Sequence, residues 1–511
     1  MSRLHRAIKG VASSYILLAA TVLYSLGSIP VALHYLDKSQ FGLWVVMGTV
    51  VGYISLMDMG MTGAASRLLI DHKDDRDGGE YGSLLKTGLL VCSIQGGIIL
   101  CIGLFFSGYF SQLLNIPDSL QLSFIQLMQW QCGVIALSFT IRILGMMLGA
   151  HQRMDISNYA GAVGLIVNFS IQWTFFHLEK GVLSLAFGAL GATLFAGATQ
   201  FVACFQQRLF PARGSWGRMS WIHFKELFHF GKDLLLVSAG TQMIMASQSI
   251  VITRVLGLEA AAAWGVGTRV YNLLNQVIWR ISDMSGAAFA EMMIRGEYER
   301  LGDRYRTIAI LSISVAGWVA VSFASCNSLF VTIWSHGKIQ WPVENDILLG
   351  ILMIIGSIVH CHGTFILVTK KIGFMRYIYL LEGSVFVIIS FIVARQGGLL
   401  LIILSSIICS LLFSGSYLIW RICDYFGLRV QVVAFGWILP ASKMLGAYIP
   451  FVSLVFYLCI NINNIERIGI NIILSLTLGL YLLLRFGIDK TLKKEFKKRA
   501  PNWASPYLNY L

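Results

Sequence analysis

The chain of 511 residues is 56% hydrophobic and only 13% charged, with a mean hydropathy of +0.71. This composition excludes a soluble globular protein, because apolar runs recur along the whole length, each long enough to cross a ~30 Å hydrocarbon core as a helix. The alternating segments of about ten residues that are typical of a transmembrane barrel are not found in the sequence, so helices are expected to span the membrane.

The net charge of +14 is distributed very unevenly over the predicted loops. With the N-terminus placed in the cytoplasm, the external loops contain only five of the 39 Lys and Arg residues. These five are Lys38, Lys180, Lys338, Arg395 and Arg467. Most of the others fall in cytoplasmic segments, as the positive-inside rule predicts, with both termini cytoplasmic. The basic excess therefore indicates topology, and we expect no nucleic-acid partner.

The hydropathy pattern predicts an all-α polytopic membrane protein with about fourteen transmembrane helices. Two polar breaks interrupt it. In the first, Trp221, Phe224 and Phe228 share one helical face, which predicts an interfacial amphipathic helix. The predicted organisation is an N-terminal lobe of spans 1–6 (1–207), a cytoplasmic linker (208–232), a C-terminal lobe of spans 7–12 (233–420), a cytoplasmic connector (421–437), spans 13–14 (438–487) and a basic cytoplasmic tail (488–511).

An aspartate interrupts the second apolar run, at Asp58. A charge at this depth costs about 2.5–3.5 kcal/mol, so Asp58 is a candidate functional residue. A loosely similar pattern returns in the predicted eighth span. Both stretches have a Trp (Trp44 and Trp264), then Gly-Thr, then Asp-Met with small residues after it, the second aspartate being Asp283. Two half-repeats embedded in the membrane would explain this similarity.

Two arginines lie within earlier spans. Arg142 follows Gln131 and Ser138 at intervals that place all three on one face of the fourth span. Either Arg142 reaches the cytoplasmic surface with its long side chain or it has a buried functional role. Arg254 ends the seventh span.

The eighth span carries a polar stripe. Its members are Arg269, Asn272, Gln276, Arg280 and Asp283, at intervals of 3, 4, 4 and 3 residues. Arg269 and Arg280 differ by only about 20° around a helix of 3.6 residues per turn. A helix surrounded by lipid could not carry this stripe, so it must face protein or water. It forms either part of a substrate path or a structural Arg–Asp network.

Other polar residues in the later spans predict less chemistry. His360 and His362 are two residues apart on a helix and point in different directions, so no metal site is expected. Glu382 is an isolated acid in the eleventh span and is predicted to pair with an arginine. The nine cysteines have no metal-type spacing and are read as small buried hydrophobic residues.

The sequence contains no P-loop, dinucleotide fingerprint, metal cluster or nucleophile–base pair, and its predicted external loops are short. We therefore expect no enzyme and no cofactor. The sequence has no loop that resembles a selectivity filter, so a channel is not expected. Internal similarity and charges within the membrane favour a secondary transporter.

Three stretches carry a resemblance to a known family. They are FGLW at Phe41–Trp44 with DMG at Asp58–Gly60 and then Arg67, IRILGMMLGAHQRMD at Ile141–Asp155, and HFGKDLLLVSAG at His229–Gly240. With these, the chain resembles the polysaccharide-exporter branch of the multidrug/oligosaccharidyl-lipid/polysaccharide (MOP) superfamily. Within that branch it is similar to the Wzx-type O-antigen and capsule repeat-unit flippases. It lacks the arginine that peptidoglycan-precursor flippases carry in the first span.

The resemblance implies a V-shaped fold of two pseudo-symmetric six-helix lobes plus two C-terminal helices, with a cavity lined by spans 1, 2, 7 and 8. It also implies an undecaprenyl-diphosphate-linked oligosaccharide as substrate, moved across the bacterial inner (cytoplasmic) membrane. An H⁺ or Na⁺ counter-ion and a polysaccharide polymerase or assembly complex are further implied partners.

The charges within the predicted spans agree with an anionic substrate. Arginine forms bidentate bonds to phosphate oxygens, and amide side chains can bind sugar hydroxyls. The predicted substrate-binding residues are Arg269, Arg280, Arg142, Arg254, Asn272 and Gln276, and the predicted ion-coupling or counter-charge residues are Asp58, Asp283 and Glu382. Two alternatives stay open: a multidrug/cation antiporter of the same superfamily, and a membrane assembly subunit without transport activity.

Overall fold

The computed structural model of the protein describes residues 3–58, 61, 65, 68–69, 72, 78–151, 153–369, 371–459, 461–489 and 493. Every regular element in these ranges is helical, which confirms the predicted all-α class. Helices are expected here because a helix satisfies its own backbone groups where lipid offers no hydrogen-bond partner. The predicted residue Arg67 and most of the basic tail lie outside the described residues.

Contacts divide the chain into two compact units, Met1–Ala262 and Ala263–Leu511. The helices of the first unit are α1 (Arg3–Tyr35), α2 (Lys38–Ser55), α3 (Glu80–Leu113), α4 (Asp118–Ala150), α5 (Met154–His177), α6 (Leu183–Gln206), α7 (Trp221–Met245) and α8 (Ser247–Leu256). A 3₁₀ turn, Leu56–Asp58, follows α2. Helix α9 (Leu258–Gly267) leads from this unit into the next.

The helices of the second unit are α10 (Arg269–Ile294), α11 (Tyr298–Trp334), α12 (Val343–Val368), α13 (Met375–Ser410), α14 (Ser416–Phe426), α15 (Leu439–Leu458) and α16 (Asn464–Leu474). A π-helical turn, Leu411–Gly415, joins α13 to α14. Further π-helical turns carry the last segment from α16 to Gly487.

Twelve helical segments among the described residues are long and apolar enough to cross a membrane. The difference from the predicted fourteen has two causes. The predicted eleventh and twelfth spans form one segment, Met375–Phe426, that bends at Gly397 and Gly398, where the backbone leaves helical geometry. The predicted eighth span is helical, as α9 and α10, but its polar stripe lowers its hydropathy.

The first unit is built on the helix pairs α3–α4 and α5–α6, with α1 against α5. A cluster around the fully buried Tyr81 and Leu148 joins α3, α4 and α6. Helix α2 also approaches the start of α9 closely. A Cβ atom at Gly42 would overlap the backbone carbonyl of Leu258, so only glycine fits there.

The predicted interfacial helix at 208–232 is not a separate element. Ser220 caps α7 by accepting a hydrogen bond from His223 N–H, and the helix then continues without a break from Trp221 to Met245. The predicted aromatic face is present, because the Trp221 and Phe224 rings stack with centroids 4.7 Å apart and Phe228 stacks beyond them. The amphipathic stretch is therefore the beginning of the seventh span.

The predicted lobe boundaries stay a prediction. The contact units divide at Ala262, because α7 and α8 pack against α2 and α7 also packs against α3. His223 of α7 contacts the Glu80 carboxylate of α3 at 3.1 Å.

In the second unit α11 is central, packing against α10, α12, α15 and α16. The buried Tyr305 ring contacts the rings of Phe289, Phe365, Phe426 and Trp437. The last span docks onto α11 through polar contacts as well as apolar ones. Trp318 Nε1 donates to the Ser475 carbonyl at 3.1 Å, and Asn471 Nδ2 donates to the Ser325 carbonyl at 3.0 Å. Such hydrogen bonds between helices are a common means of association in lipid.

Candidate functional site

The polar stripe predicted from the sequence lies on the exposed face of α10. Asn272, Gln276, Arg280 and Asp283 are all exposed, and Arg269 is half-buried at the first residue of the helix. The opposite face is buried against α11 and α12 through residues such as Ile278 and Phe289. Within this unit the stripe is therefore not buried between helices, and the choice between a substrate path and a structural Arg–Asp network stays a prediction. In a bilayer such a face requires water, protein or a polar ligand beside it.

Asp283 is bound by a histidine that the sequence analysis assigned no function. The Nε2 atom of His360 lies 2.8 Å from Asp283 Oδ1. The His360 ring stacks on Trp279, one turn before Asp283, with centroids 4.5 Å apart and an angle of 10° between the planes. Helices α10 and α12 thus place an acid, an imidazole and an indole together beside the polar stripe.

The two histidines of α12 diverge as predicted. His362 is buried and its Nδ1 shares a hydrogen bond with the Tyr305 hydroxyl, whereas His360 contacts Asp283. Their two-residue separation places them on different faces.

Arg280 lies one turn from Asp283, yet it forms no hydrogen bond or ion pair with any described residue. Its guanidinium is exposed beside Gln276. Because an arginine presents five N–H donors in a planar fork, this group is well suited to bind an anion with several oxygens.

Helix α10 begins at a break that a buried polar cluster holds in place. Asn327 Nδ2 donates to the Gly267 carbonyl at 3.0 Å and to Asp346 Oδ1 at 2.7 Å. Trp341 Nε1 donates to the same Asp346 oxygen at 2.6 Å. These contacts satisfy a carbonyl that the helix break leaves without its helical partner, and so they fix where the stripe starts.

In the first unit, Asp58 and Arg142 form an ion pair. Arg142 Nη1 lies 2.8 Å from Asp58 Oδ1, and the Arg142 guanidinium also lies over the Phe139 ring at 4.0 Å. Gln95 Nε2 donates to the Met57 carbonyl at 2.6 Å, which holds the 3₁₀ turn that presents Asp58. Asp58 therefore lies against a basic group and balances the Arg142 charge, and its role as a counter-charge in transport stays a prediction.

Arg254 lies exposed in the last turn of α8, where a cation interacts favourably with the helix dipole. Arg254 and the Asp58–Arg142 pair belong to the first unit, and the α10 stripe belongs to the second.

The partner predicted for Glu382 was wrong. This carboxylate is 1% exposed and accepts hydrogen bonds from Ser410 Oγ and from the Ser414 backbone N–H, both at 3.0 Å. Ser414 belongs to the π-helical turn between α13 and α14. Among the described contacts, serines and not an arginine therefore satisfy Glu382.

Two features of the site were missed from the sequence. His360 and Trp279 gave no functional signal, since an isolated histidine and a tryptophan are ordinary in apolar helices. The signal that could have been used is the position of Trp279, three residues after Gln276 and four before Asp283. This spacing places the indole beside the polar stripe of α10.

No protein-family model matches the chain. The chain is 25% identical over 361 residues to the succinoglycan biosynthesis transport protein of Rhizobium meliloti. This match covers 68% of this chain and 65% of the length of that relative.

The comparisons with solved structures extend over more of the chain. The structure of the lipid II flippase MurJ in an inward closed conformation aligns with a TM-score of 0.72 at 11% identity, covering 94% of this chain and 98% of that one. An inward-facing multidrug resistance MATE family transporter of the MOP superfamily aligns with a TM-score of 0.65 at 12% identity, covering 80% and 98%. The superfamily resemblance drawn from the sequence motifs is thus confirmed at the level of the fold. The chain is a polytopic membrane protein with the fold of the MOP-superfamily transporters.

Proposed function

We propose that the chain is a flippase that moves an undecaprenyl-diphosphate-linked oligosaccharide from the inner to the outer leaflet of the bacterial inner membrane by alternating access, with both termini in the cytoplasm. The observation that carries this proposal is the exposed Arg280, which has no described acidic partner. An uncompensated guanidinium on a membrane helix favours an anionic group in the substrate.

The stripe offers different groups to different parts of the substrate. Arg280 provides bidentate donors for the diphosphate, and the exposed amides of Asn272 and Gln276 can both donate to and accept from sugar hydroxyls. A hydrophobic prenyl tail needs no protein cavity, because it can stay in the bilayer.

Arg269 and Arg280 do not bind one diphosphate together. Eleven residues of helix correspond to about 16 Å along the axis, which is far more than a diphosphate can span. We assign the diphosphate to Arg280. We assign to Arg269 a second position at which the substrate binds during transport.

The comparisons support an anionic, lipid-linked substrate. The Rhizobium relative is named for transport in succinoglycan biosynthesis, and MurJ is named a lipid II flippase. The MATE transporter has the same fold but is named for multidrug resistance. The fold alone therefore does not decide between a lipid-linked substrate and a drug. The chemistry of the α10 stripe favours the anionic substrate, since the Asp283 carboxylate is already bound to His360.

Complementation in cells tests the proposal. Deletion of the gene should abolish the surface polysaccharide without sensitising the cells to cationic drugs. Arg280→Ala should fail to restore the polysaccharide, whereas Arg306→Ala, which removes an exposed arginine from α11, should restore it. Drug sensitivity with intact surface polysaccharide would instead establish a multidrug antiporter. If Arg280→Ala and Arg269→Ala both restore the surface polysaccharide fully, a membrane assembly subunit without transport activity becomes the better interpretation.

Coupling to an H⁺ or Na⁺ gradient is part of the proposal, with Asp58 as the residue that exchanges partners. Its carboxylate is partly exposed and already balances Arg142, so binding of a cation can compete with the ion pair. Transport in proteoliposomes should then depend on one of the two gradients and lose that dependence in Asp58→Asn. Transport that ignores both gradients would remove the coupling.

A further inference from the structure

Arg280 and Asp283 are opposite charges three residues apart on α10, a spacing at which such residues normally attract each other along a helix. They do not pair in this structure. Asp283 Oδ1 is bound to His360 Nε2 at 2.8 Å, and Arg280 has no described partner. The aspartate thus takes its partner from another helix and not from its own.

His360 is well placed to hold the aspartate in one position. Its ring lies flat against Trp279 of α10, and its Nε2 is also 3.4 Å from Thr364 Oγ1, one turn further along α12. The imidazole is thus fixed on one side by the stacked indole and at its edge by polar atoms of both helices. A ring held in this way loses little further freedom when it binds the carboxylate.

We infer that His360 is a positioning residue for substrate binding, which holds the Asp283 carboxylate away from Arg280 and keeps the guanidinium available for phosphate oxygens. This inference rests on the proposed function, because it assigns the anion to Arg280. Without His360, the nearest cation for the Asp283 carboxylate on its own helix is Arg280, which would then be partly neutralised.

The test measures binding of farnesyl diphosphate to the purified full-length protein in nanodiscs, with farnesol as the uncharged control. His360→Phe keeps an aromatic ring for Trp279 but removes the nitrogen that binds Asp283. We expect it to bind farnesyl diphosphate about two- to fivefold more weakly, the range of an ion pair at a partly exposed site. His360→Gln loses the ring but keeps a donor, and it should bind nearly as well as the wild type.

The double variant His360→Phe/Asp283→Asn separates positioning from structural damage. Once the aspartate is neutral, loss of His360 no longer matters, so the double variant should recover wild-type affinity. Unchanged affinity in His360→Phe, or an equally weak double variant, would overturn the inference. A misfolded His360→Phe shows in its thermal unfolding, and the pair His360→Leu and His360→Leu/Asp283→Asn, which also removes the nitrogen, then decides by the same comparison.

The outcome for Arg280→Ala distinguishes this inference from the proposed function. If Arg280→Ala weakens binding of farnesyl diphosphate but His360→Phe does not, only the positioning role is lost. If Arg280→Ala binds as the wild type does, the assignment of the diphosphate to Arg280 fails, and the role of His360 fails with it.

Discussion

The backbone N–H of Ser414 donates a hydrogen bond to Oε2 of Glu382, which lies 32 residues earlier on the other side of the bend at Gly397 and Gly398. Ser410 donates to the other carboxylate oxygen. A π-helical turn releases backbone groups from the regular helix pattern, and here the buried carboxylate receives one of them. Glu382 thus ties together the two halves of one long bent segment.

Replacement of this carboxylate should destabilise the protein. Glu382→Ala leaves the Ser410 hydroxyl and the Ser414 N–H without their acceptor in a buried place, at a cost of about 1–3 kcal/mol per group. We expect a lower unfolding temperature in detergent. Ser384→Ala is the matched control, because among the described contacts its hydroxyl bonds only to the Leu380 carbonyl of its own helix turn.

A coupling role for Glu382 predicts a different result. In that case Glu382→Gln, which keeps the size of the side chain and one acceptor oxygen, would unfold normally but transport without any response to the ion gradient. Loss of stability with unchanged gradient dependence would establish a structural role alone.

The Asp58–Arg142 pair should show thermodynamic coupling. Both side chains are partly exposed, at 20% and 32%, so the pair is expected to contribute about 1 kcal/mol or less to stability. Asp58→Ala and Arg142→Ala should each lower the free energy of unfolding, and the double variant should lower it by less than the sum of the two. Strict additivity in this double-mutant cycle would show that the two charges do not interact in solution.

The polar cluster at the break before α10 should stabilise the protein through the hydrogen bond from Trp341 to Asp346. Trp341→Phe keeps most of the ring but removes the Nε1 donor to the fully buried Asp346, so we expect a loss of about 1–3 kcal/mol. Thermal unfolding of the purified protein measures it. Trp420→Phe, at a tryptophan that is 52% exposed, is the control and should have little effect.

The sequence was sufficient to predict the parts of the fold that depend on local pattern. Apolar length predicted the helices, the spacing of Trp221 and Phe224 predicted their common face, and the intervals on α10 predicted its polar stripe. These features follow from helix periodicity, which the order of residues determines directly.

Helix periodicity does not predict contacts between residues that are far apart in the sequence. The sequence places Glu382 and Asp283 in spans and shows that each needs a partner, but any arginine, serine or histidine of another helix satisfies this need. The choice of Ser414 and His360 depends on helix rotation and on where the chain bends. The sequence predicted two separate spans with Arg395 in a loop between them, whereas the structure has one segment that bends at Gly397 and Gly398.

The uninterrupted helix from Trp221 to Met245 has a mechanical consequence. Its 25 residues form a rod of about 37 Å, and a helix of that length transmits tilt from one end to the other much more readily than it bends. Any displacement of the Met245 end, where α7 meets α8, must therefore move the aromatic end at Trp221 in a correlated way. Trp221 is 66% exposed, so a fluorophore attached at this position would report the motion of the whole seventh span.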